Sequence, residues 1–308
     1  MENNKVEINS FKLAIIVLNY SNYNMTINCI DNLINKKCPY DIIIVDNNSP
    51  NESYEILRER FEEFDTVKLI KNDQNSGYGS GNNVALRKSD KYDYVCIMNP
   101  DIIINSIKIF ENLIKGLKKN SLSGITALQI TNNHYDNSTL GWKLPNFGNL
   151  LILNSHILKK VFKPIEYKEL VVLDKERAIA QIDVMPGCFF IMDQKIFEKL
   201  NYFDENTFLY YEENILSLKA KNNKNKFGVA LSENYIHNHK EKDESLVSFK
   251  SKINDRKILM KSQKIYAEKY LGVSIIKKYL LKVSQFINIY IELPIVHLLK
   301  KMIKLLKR

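Results

Sequence analysis

The sequence predicts an α/β fold, a mostly parallel sheet flanked by helices, followed by an amphipathic helical extension at the C-terminus. Continuous apolar runs of strand length at 12–19, 40–46 and 92–98 are typical of strands buried on both faces. Segments with the apolar spacing of helices separate these runs, and the order strand, helix, strand builds parallel sheets. The sequence from 253 to 308 is almost entirely compatible with helix, broken by Gly272 and Pro294.

The remaining elements are predicted from the same periodicities. In chain order we expect helices at 25–36 and 51–64, a strand at 66–71, a helix at 82–89, a helix at 101–117, a strand at 123–130, a strand at 184–192 and a helix at 194–200. The segments 150–164 and 171–183 are compatible with either strand or helix. We therefore expect a domain at 1–245, with a nucleotide-binding half at 1–110 and a second half at 111–245, and a separate extension at 246–308.

Composition excludes several classes of protein. The 308 residues are 45% hydrophobic and include only 10 Gly and 7 Pro, which suits a large buried core and excludes a disordered chain or a disulfide mini-protein. The four cysteines contain no C-x-x-C pair, so we expect neither a zinc site nor a disulfide framework, and a reducing compartment. The first 12 residues lack the apolar region of a secretory signal, which predicts a cytoplasmic location.

Positive charge is concentrated at the C-terminus. The net charge is +10, and residues 271–308 contain eight Lys or Arg against one acid, Glu292. A basic segment rich in Ile and Leu indicates an anionic membrane surface as partner and no nucleic acid. The stretch 283–299 contains Glu292 and Pro294, so two interfacial helices bent at Pro294 are favoured over a membrane span. The alternative is a helical pair packed on the protein or in a homodimer.

Polar residues follow three of the predicted strands. Asn19 and Tyr20 follow the first, Asp46 begins a polar run after the second, and Asn99 and Asp101 flank a proline after the fourth. Ligands of open α/β sheets bind beyond the carboxyl ends of the strands, so these residues predict a shared binding crevice. Helix capping and turn formation are the alternative explanation for each cluster.

A glycine-rich segment, N-S-G-Y-G-S-G-N-N at 75–83, lies between a strand and a helix. It does not match the dinucleotide fingerprint, because position 82 is Asn, and no Walker motif is present. The segment predicts a flexible, amide-rich loop that ends at a helix N-terminus and approaches a ligand closely. A plain glycine-containing turn is the alternative.

Two further groups carry candidate chemistry. The acids Glu212 and Glu213 lie among aromatic residues, where an apolar setting raises a carboxyl pKa and favours a general base; a solvated helix start is the alternative. His237 and His239 are two residues apart in a predicted strand and therefore share a face. They could share a metal or flank a phosphate.

Taken in order, these motifs resemble the family 2 glycosyltransferases, inverting enzymes of the GT-A type that extend bacterial polysaccharides. The resemblance covers about 12–239. It rests on I-I-V-L-N-Y at 15–20, I-I-I-V-D-N-N-S at 42–49, the segment at 75–83, M-N-P-D at 98–101, P-G-C-F-F-I-M at 186–192, F-D-E-x-x-F-L-Y-Y-E-E at 203–213 and I-H-N-H at 236–239. The N-P-D form is similar to that of a subgroup containing rhamnosyltransferases and galactofuranosyltransferases.

The resemblance implies roles for individual residues. Donor binding is implied for Asn19, Tyr20, Asp46, Asn75, Gly77, Asn82 and Asn99, with Asp46 at the nucleobase or ribose. Mg²⁺ or Mn²⁺ is implied at Asp101, with His237 as a second ligand and His239 as the alternative to it. The general base is implied at Glu213, with Glu212 competing. The family pair is usually Glu-Asp, and a further acid is replaced here by Ile215.

The function implied is transfer of a sugar from a nucleotide diphosphate donor, dTDP-rhamnose or a UDP-hexose, to a growing polyprenyl-linked polysaccharide at the inner face of the cell membrane. The altered acidic pair leaves a second function open, a catalytically silent scaffold that binds sugar nucleotides or glycans. A sugar nucleotidyltransferase is disfavoured, because no glycine-rich, basic triphosphate loop follows the first strand.

Overall fold

The structure, a computed structural model, describes residues 11–131, 134–135, 140–238 and 248–306. Its centre is one twisted sheet in the order β3-β2-β1-β4-β10-β6-β11-β9-β8, with two short strands, β5 and β7, paired at the side. The strands are β1 Leu13–Asn19, β2 Asp41–Asp46, β3 Val67–Lys71, β4 Tyr94–Met98, β5 Ile102–Ile103, β6 Gly124–Thr131, β7 His134–Tyr135, β8 Val171–Asp174, β9 Ile179–Ile182, β10 Phe189–Asp193 and β11 Phe227–His237.

Helices cover both faces of the sheet and form the C-terminal extension. They are α1 Tyr23–Asn35, α2 Ser53–Phe61, α3 Tyr78–Leu86, α4 Lys108–Lys119, α5 Phe147–Leu153, α6 Leu158–Phe162, α7 Gln194–Lys199, α8 Glu212–Asn222, α9 Phe249–Ile265, α10 Ile275–Ile287 and α11 Leu293–Leu306. The first four strands of the path are mutually parallel, while β10 runs antiparallel to its neighbours β4 and β6. The predicted α/β class with a mostly parallel sheet and a helical extension is confirmed.

The alternation of side chains along β1 explains why both faces of the sheet are covered. Ile15 and Val17 pack in one layer with residues of α1, α2 and α4, whereas Ala14 and Ile16 pack in the opposite layer with α3 and α7. A strand with two buried faces requires apolar residues at every position, which is why the segment appears in the sequence as a continuous run. The polar residue that ends the strand, Asn19, therefore marks the edge of the sheet.

The observed elements differ from the predicted ones where local sequence is ambiguous. The segment 101–117, predicted as one helix, begins with β5 and becomes helical only at Lys108. The ambiguous segment 150–164 contains α5 and α6, and 171–183 contains β8 and β9. Strand β10 begins only at Phe189, because Val184 forms an isolated bridge with Trp142 and the chain then turns at Gly187 and Cys188, which we call the P-G turn.

The last part of the C-terminal extension is helical from 275 to 306 without interruption. Gly272, in the left-handed conformation, separates this part from α9, as expected. Pro294 does not end the helix: a π-helical turn at Asn288–Glu292 immediately precedes it, which accommodates a residue that lacks a backbone N–H. None of the helices that the structure describes is long and apolar enough to cross a membrane.

One face of the extension is packed against the rest of the protein. Tyr266 and Leu281 are buried in a small apolar cluster with Leu150, Tyr211 and Ile215. Arg256 donates from Nε to Asn288 Oδ1 at 2.6 Å, and Glu292 accepts from the Ser155 hydroxyl at 2.7 Å. The expected alternative, a helical pair packed on the protein, therefore describes one face of the extension.

Candidate active site

The predicted clusters at the strand ends meet at one edge of the sheet. Asn19 Nδ2 donates to Asp46 Oδ1 at 2.7 Å, which joins the ends of the adjacent strands β1 and β2. Asp46 also accepts from the backbone N–H of Ser49 at 3.0 Å and from its hydroxyl at 2.6 Å. Thr26 donates to Asn19 Oδ1 at 2.8 Å, so both ends of the Asn19 amide group are hydrogen-bonded within the protein.

The burial of these residues affects how they can serve a ligand. Asn19 and Asp46 are fully buried, whereas Tyr20 is 52% exposed beside them. Both carboxylate oxygens of Asp46 already accept hydrogen bonds within the protein. Asp46 thus shapes the loop that follows β2, while the side chain of Tyr20 beside it remains accessible.

The glycine-rich segment is more ordered than the predicted flexible loop, because α3 begins at Tyr78, inside it. Gly77 has φ +110°, and a Cβ there would collide with the backbone of Phe208. That close approach allows the Tyr78 N–H to donate to the Phe208 carbonyl at 2.8 Å. Only glycine meets both requirements at this position.

The two asparagines predicted in this segment both hold its shape. Asn75 Oδ1 accepts from the Gly77 N–H at 3.1 Å and from Asn47 Nδ2 at 3.0 Å. Asn82 is buried and donates to the Tyr78 carbonyl at 3.0 Å, within α3. Asn47 was only part of a predicted polar run, yet it connects the end of β2 to this segment.

Tyr78 connects the glycine-rich segment to the strand-end asparagine Asn99. Its hydroxyl lies 2.7 Å from the carbonyl oxygen of Gly187, to which it donates, and 2.9 Å from Asn99 Oδ1. The Asn99 N–H donates to the Cys188 carbonyl at 2.8 Å. Tyr78 is not among the residues predicted from the sequence to line the site, although its place in the glycine-rich segment was a usable signal.

The acidic pair begins helix α8. Tyr210 and Tyr211, the two residues before it, have φ of 72° and 70°, an uncommon conformation for residues with side chains. A Cβ on Gly187 would lie 2.7 Å from Glu213 Oε1, and a Cβ on Gly79 would lie 3.4 Å from Glu212 Cγ. The two carboxyl groups therefore lie directly against the P-G turn and the glycine-rich segment.

Burial raises the pKa of both carboxyl groups of this pair. For Glu212, burial and then repulsion from Glu213 raise the pKa to about 8, and for Glu213 burial raises it above the ordinary value of 4.5. Glu212 Oε1 is buried and has no hydrogen-bond partner among the residues that the structure describes. Raised carboxyl pKa values in a crevice are the property that a general base for neutral pH needs.

The predicted metal residues Asp101 and His237 lie together. His237 Nε2 lies 3.1 Å from Asp101 Oδ2, since β5 pairs with the end of β11 and the Asn238 N–H donates to the Asp101 carbonyl. Both side chains are about 10% exposed, and Asp101 lines a cavity of about 190 Å³. His239, the alternative ligand, lies outside the described residues.

This pair fits a divalent ion as a partial ligand set. A carboxylate and an imidazole within hydrogen-bond distance can face one ion, and carboxylate oxygen suits Mg²⁺ or Mn²⁺. Among the described residues no group of three or more His, Cys, Asp or Glu is arranged to hold a metal. An ion here would complete its coordination with oxygens of a ligand, as expected for Mg²⁺ bound with phosphates.

Trp142 contacts the helix that carries the acidic pair, whereas Asp204 contacts the C-terminal extension. Trp142 Nε1 donates to Asn214 Oδ1 at 2.9 Å, which places this ring beside the residue that follows Glu213. Asp204 is instead engaged by the extension, where Lys269 Nζ donates to its Oδ2 at 2.7 Å. The contact between Trp142 and Asn214 in α8 was not predictable from the sequence, because 72 residues separate the two partners.

Comparison with known proteins identifies relatives of this chain. Residues 14–200 match the family model described as "Glycosyl transferase family 2". The low-salt glycan biosynthesis hexosyltransferase Agl10 of Haloferax volcanii is 24% identical over 230 residues, covering 73% of this chain and 67% of that protein. The poly(ribitol-phosphate) beta-glucosyltransferase of Bacillus spizizenii is 31% identical over 99 residues, which cover 31% of this chain and only 16% of that protein.

Solved structures share the fold at low sequence identity. The mannosyltransferase PcManGT of Pyrobaculum calidifontis, solved in complex with GDP-Man and Mn²⁺, has a TM-score of 0.59 at 13% identity over 93% of this chain and 72% of that chain. S. aureus TarS 1–349 has a TM-score of 0.53 at 14% identity over 91% of this chain and 81% of that chain. The sheet and its flanking helices are thus of the GT-A type, as the sequence predicted.

Proposed function

Because the chain belongs to the glycosyl transferase family 2, we propose that it is an inverting enzyme that transfers a sugar from dTDP-rhamnose or a UDP-hexose to a growing, polyprenyl-linked cell-surface polysaccharide. The observation that carries this proposal is the buried pair Glu212 and Glu213 at the start of α8, packed against Gly79 and Gly187. These contacts put a carboxylate with a raised pKa at the edge where the strand-end residues converge.

Glu213 is the proposed general base, with Glu212 as its competitor. Its carboxylate takes the proton of the acceptor hydroxyl while the hydroxyl oxygen attacks the anomeric carbon of the donor. The bond from that carbon to the diphosphate breaks, and the nucleoside diphosphate leaves with the bonding electrons. Attack opposite the leaving group inverts the anomeric configuration.

The donor is proposed to lie across the ends of β1, β2 and β4. Tyr20 is exposed there and offers its ring to the nucleoside, while Asn19 and Asp46 support the loop beneath it. Two sets of contacts shape the wall next to the acidic pair. Asn75 holds Gly77, and Tyr78 contacts both Asn82 and Asn99. Asp101 and His237 would hold Mg²⁺ or Mn²⁺, which when bound neutralises charge on the departing diphosphate.

The C-terminal extension is proposed to hold the enzyme on the inner face of the cell membrane. Its outward face exposes large apolar side chains, including Ile275, Ile276, Tyr279 and Phe286, and lysines such as Lys277 and Lys282 follow the same helix. Apolar side chains with flanking lysines match an anionic lipid surface in both hydrophobicity and charge. Burial of this face in a homodimer is the competing arrangement.

The test is nucleotide release from a panel of donors, namely dTDP-rhamnose, UDP-glucose, UDP-galactose, UDP-N-acetylgalactosamine and UDP-galactofuranose. Each is assayed with Mn²⁺ or EDTA, and with or without a membrane lipid extract. Release from one donor that needs Mn²⁺ and increases with the extract is expected. The variant Glu213→Gln should bind that donor and lose transfer, whereas retained transfer would overturn the assignment of the base.

A further inference from the structure

A second cavity, of about 700 Å³, lies between α6, α9 and α11, and we call it the inter-helix cavity. Its wall is formed by the extension on one side and by the segment around α6 on the other. Apolar side chains such as Ile157, Val161, Leu293 and Val296 make up much of its lining. No residue of the donor site or the Asp101–His237 pair belongs to it.

Basic side chains line the same cavity. Lys159, Lys160, Lys252 and Arg256 all contribute to it, against one carboxylate, Asp255. Within the part of the chain that the structure describes, neither Lys159 nor Lys160 has an ion pair with a carboxylate. Burial and repulsion from Arg256 and Lys160 lower the pKa of Lys159, although Glu292 partly offsets them. Such crowding of positive charge is relieved when an anion enters.

The inter-helix cavity is connected to the proposed active site through Tyr210. This residue lines the cavity and is followed, two positions later, by Glu212. Its neighbour Tyr211 is held from the extension, since Gln263 Nε2 donates to the Tyr211 hydroxyl at 3.1 Å and the ring of Tyr266 lies 5.4 Å away. A ligand in the cavity would thus be adjacent to the segment that places the acidic pair.

We propose that the inter-helix cavity binds an amphiphile, with its phosphate or diphosphate at Lys159 and Lys160 and its hydrocarbon chain along Ile157, Val161 and Val296. Cations at the headgroup and apolar side chains beside them are the chemistry that such a ligand requires. The exposed side chains of Ile157, Val161 and Phe162 continue the apolar lining to the surface, which gives a long chain a way out into a bilayer. This proposal deepens the proposed function, because such a site would hold the lipid end of the acceptor.

The experiment measures binding of soluble probes to the full chain in EDTA, without donor. Farnesyl diphosphate supplies both halves of the ligand, farnesol only the chain and inorganic diphosphate only the anion. Dihexanoyl phosphatidylglycerol and dihexanoyl phosphatidylcholine distinguish a bilayer lipid from an isoprenoid one. We expect farnesyl diphosphate to bind at least about tenfold more tightly than farnesol or inorganic diphosphate. Preferential binding of the phosphatidylglycerol would overturn the assignment to the acceptor and identify a bilayer lipid as the ligand.

The variant K159Q/K160Q should weaken that binding by about tenfold, which is the effect expected for losing two charge-assisted contacts. The matched control is K36Q/K199Q, which removes two exposed lysines that lie away from the cavity. Equal binding by K159Q/K160Q and the wild type would overturn the proposal, as would equal binding of farnesol and farnesyl diphosphate. A dimer in sedimentation that binds none of the probes would assign the cavity to a second copy instead.

The binding assay also separates this proposal from the proposed function. It contains neither a donor nor a metal, so its result stands if no donor in the panel is turned over. Conversely, Glu213→Gln should lose transfer and still bind the amphiphile, because Glu213 does not line the inter-helix cavity.

Discussion

Glu213 and Gly187 are packed so closely that a Cβ on residue 187 would lie 2.7 Å from the carboxylate oxygen Oε1. The carbonyl of the same glycine accepts from Tyr78, which in turn lies beside Asn99. The P-G turn before β10 is therefore the point at which the acidic pair meets the strand-end residues. This contact makes the position of Glu213 sensitive to a single methyl group.

The first prediction tests that contact. Gly187→Ala should displace the Glu213 carboxylate and lower kcat by tenfold or more, since a misplacement of about 1 Å can cost about a hundredfold in rate. Overpacking should also lower stability by about 1–3 kcal/mol. Steady-state kinetics with the identified donor and thermal unfolding measure the two effects.

The control for this glycine is Gly148→Ala. A Cβ on Gly148, in α5, would meet only Asn146 Oδ1, at 3.4 Å. Replacement of an exposed helical glycine by alanine should stabilise the protein by about 0.5–1 kcal/mol and leave kcat unchanged. A kcat for Gly187→Ala equal to that of the control would show that the contact does not position the base.

The second prediction concerns the stability of the protein against pH. Burial raises the pKa of Glu212 from 4.5 to about 8, so the folded state binds a proton more tightly than the unfolded state does. The stability associated with this proton is complete below pH 4.5 and is lost as pH rises towards 8. The melting temperature of the wild type should therefore fall over this range more than that of Glu212→Gln.

Differential scanning calorimetry at pH 5, 7 and 9 would measure this difference. Each unit by which the pKa is shifted on folding corresponds to about 1.4 kcal/mol of stability. Glutamine matches the protonated carboxyl group in shape and carries no charge at any of these values. Parallel melting curves for the two proteins across the range would contradict a buried, protonated Glu212.

The third prediction tests the metal role of Asp101. Asp101→Asn removes the charge of the proposed ligand carboxylate and should raise the Mn²⁺ concentration needed for half-maximal nucleotide release by at least about tenfold. The control Asp65→Asn changes an exposed carboxylate in the turn between α2 and β3. An unchanged metal requirement in Asp101→Asn would remove this residue from the metal site, whatever its effect on rate.

The fourth prediction concerns the anchor between the extension and the segment before α8. Burial alone would raise the pKa of Asp204, but hydrogen bonds from Lys269, Tyr270 and Asn206 outweigh it and hold the pKa well below 3.8. This stability is complete above the unfolded pKa of about 3.8 and is fully lost only once pH has fallen through the depressed pKa of the folded state. Lys269→Met should cost about 1 kcal/mol at pH 7, a small value because Lys269 is half exposed.

The loss should be nearly constant from pH 7 to pH 3, because the folded-state pKa of Asp204 lies well below 3.8 and the carboxylate keeps its charge over this range. Urea unfolding at both pH values measures it. Lys264→Met is the matched control, because Lys264 lies on the same part of the extension and its nearest carboxylate, on Glu268, is 3.9 Å away at the surface. Equal losses for the two variants at pH 7 would show that the Asp204 contact contributes nothing specific.

Much of the fold was predictable from particular residues. The apolar runs that became β1, β2 and β4 are strands with two covered faces, and that burial forces every position to be apolar. The segments 150–164 and 171–183 were not predictable, because their short helices and strands are stabilised by contacts with α10 and β11 rather than by local periodicity. The same holds for Pro294, whose helix continues because a π-helical turn precedes it.

The sequence by itself determined the sheet, the polar residues at the ends of its strands and the family to which the chain belongs, because these depend on periodicity and on ordered local motifs. Only the tertiary structure decided that Glu213 lies against Gly187, that Tyr78 lies between Gly187 and Asn99, and that Tyr211 is held by the extension. These partners are separated by 21 to 109 residues in the chain. Contacts of that range depend on how the strands are ordered in the sheet, which no local pattern of residues encodes.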